Sequence, residues 1–175
     1  MHNAPHDLFG VTGWKDSGKT TLVVKLLEEF IRRGITVSTV KHAHDGFEVD
    51  REGTDSARHR AAGAYETALV SNTRFALMHQ QQAGGASPTL DQIISKLAPC
   101  QLVLVEGFKS HPLPKIECVR AESANRDPVW TTNKTVIAVA TDQPDANCPL
   151  PQFALDDVAD IADYIAQKIG LQTVR

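Results

Sequence analysis

Gly13-Trp14-Lys15-Asp16-Ser17-Gly18-Lys19-Thr20 fits G-x-x-x-x-G-K-[ST], the phosphate-binding Walker A pattern. The neighbouring sequence supplies the context that the pattern needs. Before it, Leu8, Phe9, Gly10 and Val11 form a short apolar run that reads as a buried strand. After it, Leu22, Val23, Leu26, Leu27, Phe30 and Ile31 recur at helical spacing through Arg33, with Gly34 as the stop. A loop between a strand and a helix N-terminus aims backbone N–H groups and the positive end of the helix dipole at one point, which suits an anion. Gly13 and Gly18 let the backbone curl. Lys19 is then expected to bridge β- and γ-phosphates, with the Thr20 hydroxyl on Mg²⁺. Trp14, Lys15, Asp16, Ser17 and Thr21 complete the stretch expected to surround the phosphates. A chance match in a chain of this length is expected below roughly one time in a hundred.

The chain has 175 residues, which predicts one domain, residues 1–175, with a core that needs no staples. Hydrophobic residues at 42% and charged residues at 22% are ordinary for a soluble globular protein. A net charge of −3 gives no support for a general nucleic-acid or membrane-surface binder, so any basic site is local. No apolar run approaches the ~18 residues of a membrane span, and Met1 to His6 is too short and polar for a signal peptide. Cys100, Cys118 and Cys148 show no C-x-x-C spacing. They therefore read as small core or surface residues in reduced cytosol.

Farther along, Ile35–Val40 alternates and is β-branched, a second strand. The polar segment from Lys41 to Ser56 reads as a loop, and loops of that length are functional or disordered. A helix is expected over Ala57–Ala64, and two short strands over Thr67–Ser71 and Phe75–Met78, with Asn72-Thr73 between them. Gln80–Ala86 is a small low-complexity loop. Ser87-Pro88 reads as the N-cap and first position of a helix whose face is Leu90, Ile93, Ile94 and Leu97. Leu102–Val105, a continuous apolar run, suits a strand buried on both faces. Strands are also expected over Lys115–Val119 and Thr135–Ala140. Asp156-Asp157 opens a last helix with Val158, Ile161, Ala162, Ile165 and Ile169 on one stripe and Gly170 at its end. Alternating strands and helices predict an α/β domain with a mainly parallel sheet flanked by helices, the three-layer P-loop NTPase arrangement.

Ligands in such sheets bind beyond the carboxyl ends of the strands. That singles out Lys41–Asp55, Glu106-Gly107 and Thr141-Asp142. Glu106 follows an apolar strand as a Walker B acid does, and would accept from a Mg²⁺-bound water or orient an attacking one. Otherwise it is a surface carboxylate at a strand end. Asp142 has two readings. Its carboxylate accepts only, and so matches the adjacent N1–H and N2–H₂ donors of guanine; equally, it caps the turn before Gln143-Pro144. In the polar loop, His42, His44, Asp45, Asp50 and Asp55 lack zinc-site spacing. Asp50 or Asp55 is a candidate second-shell Mg²⁺ group, and Lys41, Arg51 or Arg58 a candidate contact for an anionic ligand.

The chain resembles the molybdopterin-guanine dinucleotide biosynthesis protein B (MobB) family from about Leu8 to Ile169. The likeness rests on the P-loop, Val40-Lys41-His42-Ala43-His44, Asp50-x-x-Gly53-x-Asp55-Ser56, Arg60–Ala64, Leu104–Lys109 and Val136–Asp142. It implies a dimeric P-loop protein that binds GTP with Mg²⁺ and hydrolyses it weakly at most. The implied role is to assist a nucleotidyltransferase that attaches GMP to molybdopterin. Carried onto this sequence, Gly13, Gly18, Lys19, Thr20 and Thr21 hold phosphates and Mg²⁺, Glu106 serves the metal or water, and Asp142 the guanine. The polar loop and Lys109 face the pterin phosphate or the partner enzyme. Related dimeric P-loop proteins carry a signature lysine directly after the first glycine of the loop; here that place is Trp14, with Lys15 one later. The alternative is a small P-loop kinase with Asp50 or Asp55 as base and Arg58 or Arg60 on the transferring phosphate. A binding module that senses a nucleotide without chemistry is a further alternative.

Overall fold

The computed structural model describes residues 6–43, 49–81, 85–123 and 127–171. It divides into two compact units, one formed by Met1–His42 with Lys96–Arg175 and the other by Ala43–Ser95.

The first unit is built on a six-stranded sheet. Its strands are β1 (Asp7–Gly13), β2 (Val37–Lys41), β5 (Leu102–Glu106), β6 (Lys115–Val119), β7 (Val136–Thr141) and β8 (Gln152–Ala154), in the order β2-β5-β1-β6-β7-β8. All five pairings are parallel. Helices α1 (Lys19–Arg32) and α4 (Val158–Ile169) pack on each other and on one face of the sheet. Phe9, Val11, Leu102, Leu104, Ile116, Cys118, Ala138 and Ala140 meet Leu22, Leu26, Phe30, Ile161 and Ile165 there in a continuous core. Arg33 ties the two helices together, with its guanidinium 2.7 Å from Glu29 and 2.5 Å from Asp163. Tyr164 of α4 reaches the sheet by donating to the Ile137 carbonyl.

The opposite face of the same strands is also buried but is not purely apolar. Thr12, Lys115 and Glu117 are fully buried on it, with Gly10 level with Lys115 and Thr12 level with Glu117. The register explains the glycine: a Cβ at Gly10 would stand 2.6 Å from Lys115 Cγ and from Leu113 Cδ1. The Lys115 stem fills that space, and its ammonium donates to the carbonyls of His111 and Leu113 and to Thr135 Oγ1.

The second unit contains α2 (Asp55–Ala61), the antiparallel hairpin β3 (Glu66–Val70) and β4 (Phe75–His79), and α3 (Leu90–Ile94). Its departures from the sequence expectations are local. Helix α2 starts two residues earlier than the apolar pattern marks, because Thr54 caps it by accepting from the Ala57 N–H. Helix α3 begins after Thr89 and not after Ser87: Thr89 and Gln92 form a reciprocal capping box, which satisfies two N–H groups where Ser87 would satisfy one. It ends at Ile94, short of Leu97. Strand β8 went unread because three residues after Pro151 carry too little pattern. The rest of the strand and helix order agrees with the reading from sequence.

Candidate functional site

Gly18 is the N-cap of α1, in the left-handed region at φ 92°, and no side chain caps the helix. The first-turn N–H groups are thereby left for an anion. Gly13, at φ 137°, pairs with Cys118; a Cβ there would come within 2.5 Å of the Cys118 carbonyl and 2.6 Å of Ser17 Oγ. Only glycine fits. Ser17 is buried, and its Oγ has no hydrogen-bond partner among the described residues. Lys19 Nζ donates back to the Trp14 carbonyl, closing the loop on itself. Lys15 and Asp16 are exposed at the tip, Asp16 with φ 63°. Thr21 is exposed in the first turn of α1.

The strand register decides what lies beside the loop. Lys41 at the end of β2, Glu106 at the end of β5 and Val11 of β1 are at one level. Side chains alternate along a strand, so all three face α1. Thr20 Oγ1 donates to Glu106 Oε1 at 2.8 Å. Lys41 Nζ donates to Thr20 Oγ1 at 3.0 Å and stands 3.1 Å from Glu106 Oε1. Glu106 is buried, whereas the Lys41 side chain is 57% exposed. Thr20 and Glu106, both expected on the metal, are thus in direct contact, with a cation beside them. Both donors are oxygens, the set a hard divalent ion prefers, and the ammonium marks the place as one that holds positive charge.

Trp14 is held from two sides. Its indole N–H donates to the Asp127 carbonyl at 2.9 Å, and Lys109 Nζ lies 3.7 Å from the ring centroid, a cation–π contact. Glu117 supports this wall from below by accepting the Val129 and Trp130 N–H groups at 2.7 and 2.8 Å. Burial pushes its carboxyl above the usual range, against the opposing pull of those two bonds. Burial likewise pushes the Cys118 thiol up to about 12, so it is no nucleophile near neutral pH.

Asp142 does not cap the turn before Gln143. Thr141 does that, its Oγ1 accepting from the Gln143 N–H at 3.0 Å. Asp142 Oδ1 instead accepts from the Ala121 N–H at 3.0 Å, joining the ends of β7 and β6. Next to Ala121 stands Arg120, the residue that sequence reasoning missed. Its guanidinium packs against the P-loop, with Nε 3.0 Å from where a Cβ on Gly18 would lie. Applying the strand-end rule to Lys115–Val119, as it was applied to Glu106 and Asp142, identifies Arg120.

The remaining candidates are placed as follows. His42 packs on Phe108, ring centroids 4.8 Å apart, and Gly107 leaves room for it. His44 and Asp45 lie outside the described residues. Asp50, Asp55, Arg58 and Arg60 belong to the second unit. There Asp50 is buried against Arg60 at 2.8 Å, while Asp55 is exposed, 3.8 Å from Arg58.

The family model described as Molybdopterin guanine dinucleotide synthesis protein B matches residues 8–142. This chain belongs to the MobB family. It is 39% identical over 158 residues to the molybdopterin-guanine dinucleotide biosynthesis adapter protein of Haemophilus influenzae, covering 90% of this chain and 86% of that one. It is 34% identical over 162 residues to the Escherichia coli protein of the same description, covering 91% of each. Among solved structures, Bacillus subtilis MobB superposes with a TM-score of 0.72 at 27% identity, covering 95% of this chain and 99% of that one. The MobB homologue of Bacillus stearothermophilus gives 0.69 at 27% identity, covering 94% and 99%. The MobB P-loop fold implies nucleotide binding.

Proposed function

We propose that this chain is a nucleotide-holding adapter in molybdopterin guanine dinucleotide synthesis. It would bind GTP with Mg²⁺ and assist a guanylyltransferase that attaches GMP to molybdopterin. The observation that carries the reading is the contact of Thr20, Glu106 and Lys41 beside an uncapped helix N-terminus, in a chain of the MobB family. In this reading Gly13, Trp14, Lys15, Asp16, Ser17, Gly18, Lys19, Thr20 and Thr21 surround the phosphates. Thr20 and Glu106 hold the metal, which would screen the charge of the terminal phosphates.

Asp142 is proposed for the guanine edge. One carboxylate oxygen, Oδ1, holds the Ala121 N–H, and the other would take the base. Weak turnover is consistent with a Glu106 already committed to Thr20 and Lys41. In the kinase alternative, Asp50 as base would carry the Arg60 guanidinium on its Oδ1.

A homodimer is part of the proposal. The hairpin β3–β4 is a two-stranded sheet of its own, and Val70 and Phe75, opposite each other in register, are 80% and 76% exposed. A second copy would cover such a face. Residues 1–175 are read as one nucleotide-binding domain, with 43–95 as an insertion between β2 and β5. The proposed compartment is the cytosol; no helix of the described residues is long and apolar enough to cross a membrane.

The deciding experiment is calorimetric titration of GTP against ATP, with and without Mg²⁺. GTP should bind more tightly and Mg²⁺ should strengthen it, and Lys19→Ala should abolish binding while circular dichroism stays unchanged. Retained affinity in Lys19→Ala would sink the P-loop assignment. Asp142→Asn should shift preference from GTP toward XTP, since an amide can donate to the carbonyl that replaces the guanine amino group. An unchanged GTP/XTP ratio would leave Asp142 as the tether of Ala121 alone.

A further inference from the structure

The Thr20 hydroxyl has one proton and two lone pairs. The proton goes to Glu106, and Lys41 takes a lone pair at 3.0 Å. A Mg²⁺ on Thr20 would stand about 2.0–2.1 Å from the same oxygen, beside the same carboxylate. The charge balance points the same way as the crowding. Glu106 contributes one negative charge and Lys41 one positive, so the cluster is neutral as it stands. A free divalent cation therefore meets no net attraction there and would meet the repulsion of the ammonium. The carboxylate is only 9% exposed, so water screens that repulsion poorly. Lys41, by contrast, is mostly exposed and can leave at little cost.

We propose that Lys41 imposes an order on the site: its ammonium fills the cation place of the empty protein and keeps a divalent metal out until nucleotide phosphates arrive. The phosphates bring the missing negative charge and offer the ammonium another partner, so metal and nucleotide enter together. Lys41 thus sets the metal's dependence on nucleotide. This rests on the reading of Thr20 and Glu106 as metal-holding groups.

The test needs neither nucleotide nor turnover. Free Mn²⁺ is followed by electron paramagnetic resonance as it is titrated into the whole chain. Wild type is compared with Lys41→Met, Lys41→Arg and the double variant Lys41→Met/Glu106→Gln. Lys41→Met should bind Mn²⁺ on the order of tenfold more tightly than wild type. Lys41→Arg keeps the charge and should stay at the wild-type level, and the double variant should lose the gain. Lys41→Gln replaces Lys41→Met if circular dichroism shows misfolding. Affinity in Lys41→Met no higher than wild type, both too weak to measure included, overturns the proposal, as does a gain that survives Glu106→Gln. The metal reading is scored apart from this, by Mn²⁺ uptake of wild type and Glu106→Gln in the presence of GTP. Uptake lost only in Glu106→Gln upholds the metal site even where Lys41 fails its own test.

Discussion

In the unit formed by residues 1–42 and 96–175, Phe9, Phe30, Leu104 and Ile161 are fully buried. In the 43–95 unit, Tyr65, Val70, Phe75 and Leu77 are each more than half exposed. Both units have an ordinary share of apolar residues, and they differ in what covers them. Six parallel strands under α1 and α4 close a core, and the site sits at the carboxyl ends of those strands. The hairpin of the second unit has α2 packed against β3, a thin cover for a two-stranded sheet that is marginal alone in water. The first unit therefore holds its side chains in a fixed constellation, whereas the second leaves large apolar side chains exposed.

Four substitutions or conditions would break or sharpen that contrast. The largest effect is expected from Phe30→Ala, which empties a fully buried site between α1 and the sheet. It should cost about 3–5 kcal/mol in denaturant unfolding. Gly13→Ala comes next: the Cβ has backbone at 2.5 Å and φ is 137°, so a loss of about 1–3 kcal/mol is expected. Nucleotide affinity should fall with it in calorimetry, since the loop cannot keep its curl.

The third is a pH effect. Burial lowers Lys115 from 10.5 to about 8. Between those values the unfolded chain keeps a proton that the folded chain has released, so stability should rise with pH from 8 toward 10.5. Unfolding measured across that window should show the rise in wild type and its absence in Lys115→Met. The smallest effect on the fold is expected at Phe75, which is 76% exposed. Phe75→Asp should change monomer stability by no more than about 0.5 kcal/mol. It should nevertheless lower the mass seen by light scattering if that face pairs with a second copy. A large stability loss with unchanged mass would mean the face packs within the chain.

The parts of the site that were legible share one property: their cause is local. The P-loop announces itself because strand, glycines and helix are consecutive. Glu106 was legible because it ends a continuous apolar run, and α4 because its stripe and Gly170 are both short-range signals. Arg120 follows a strand that was equally legible, Lys115–Val119, so its signal too is local: it is the residue at that strand's carboxyl end. Asp142 was narrowed to a base reader or a turn cap, and its observed bond, to an N–H 21 residues away, belongs to neither. Ser87 reads as the helix N-cap because Pro88 follows it. Thr89 and Gln92 make the better cap, and local sequence carried that signal too.

By itself the sequence determined a phosphate-binding loop on a parallel α/β sheet and, through its motifs, membership of the MobB family, because turn chemistry and apolar period act over a few residues. Only the tertiary structure decided that Lys41 would share Thr20 with Glu106. That depends on the order β2-β5-β1 and on a register placing residues 41, 106 and 11 at one level. A slip of one residue would turn one of these side chains to the opposite face, and no stretch of sequence read alone contains that information.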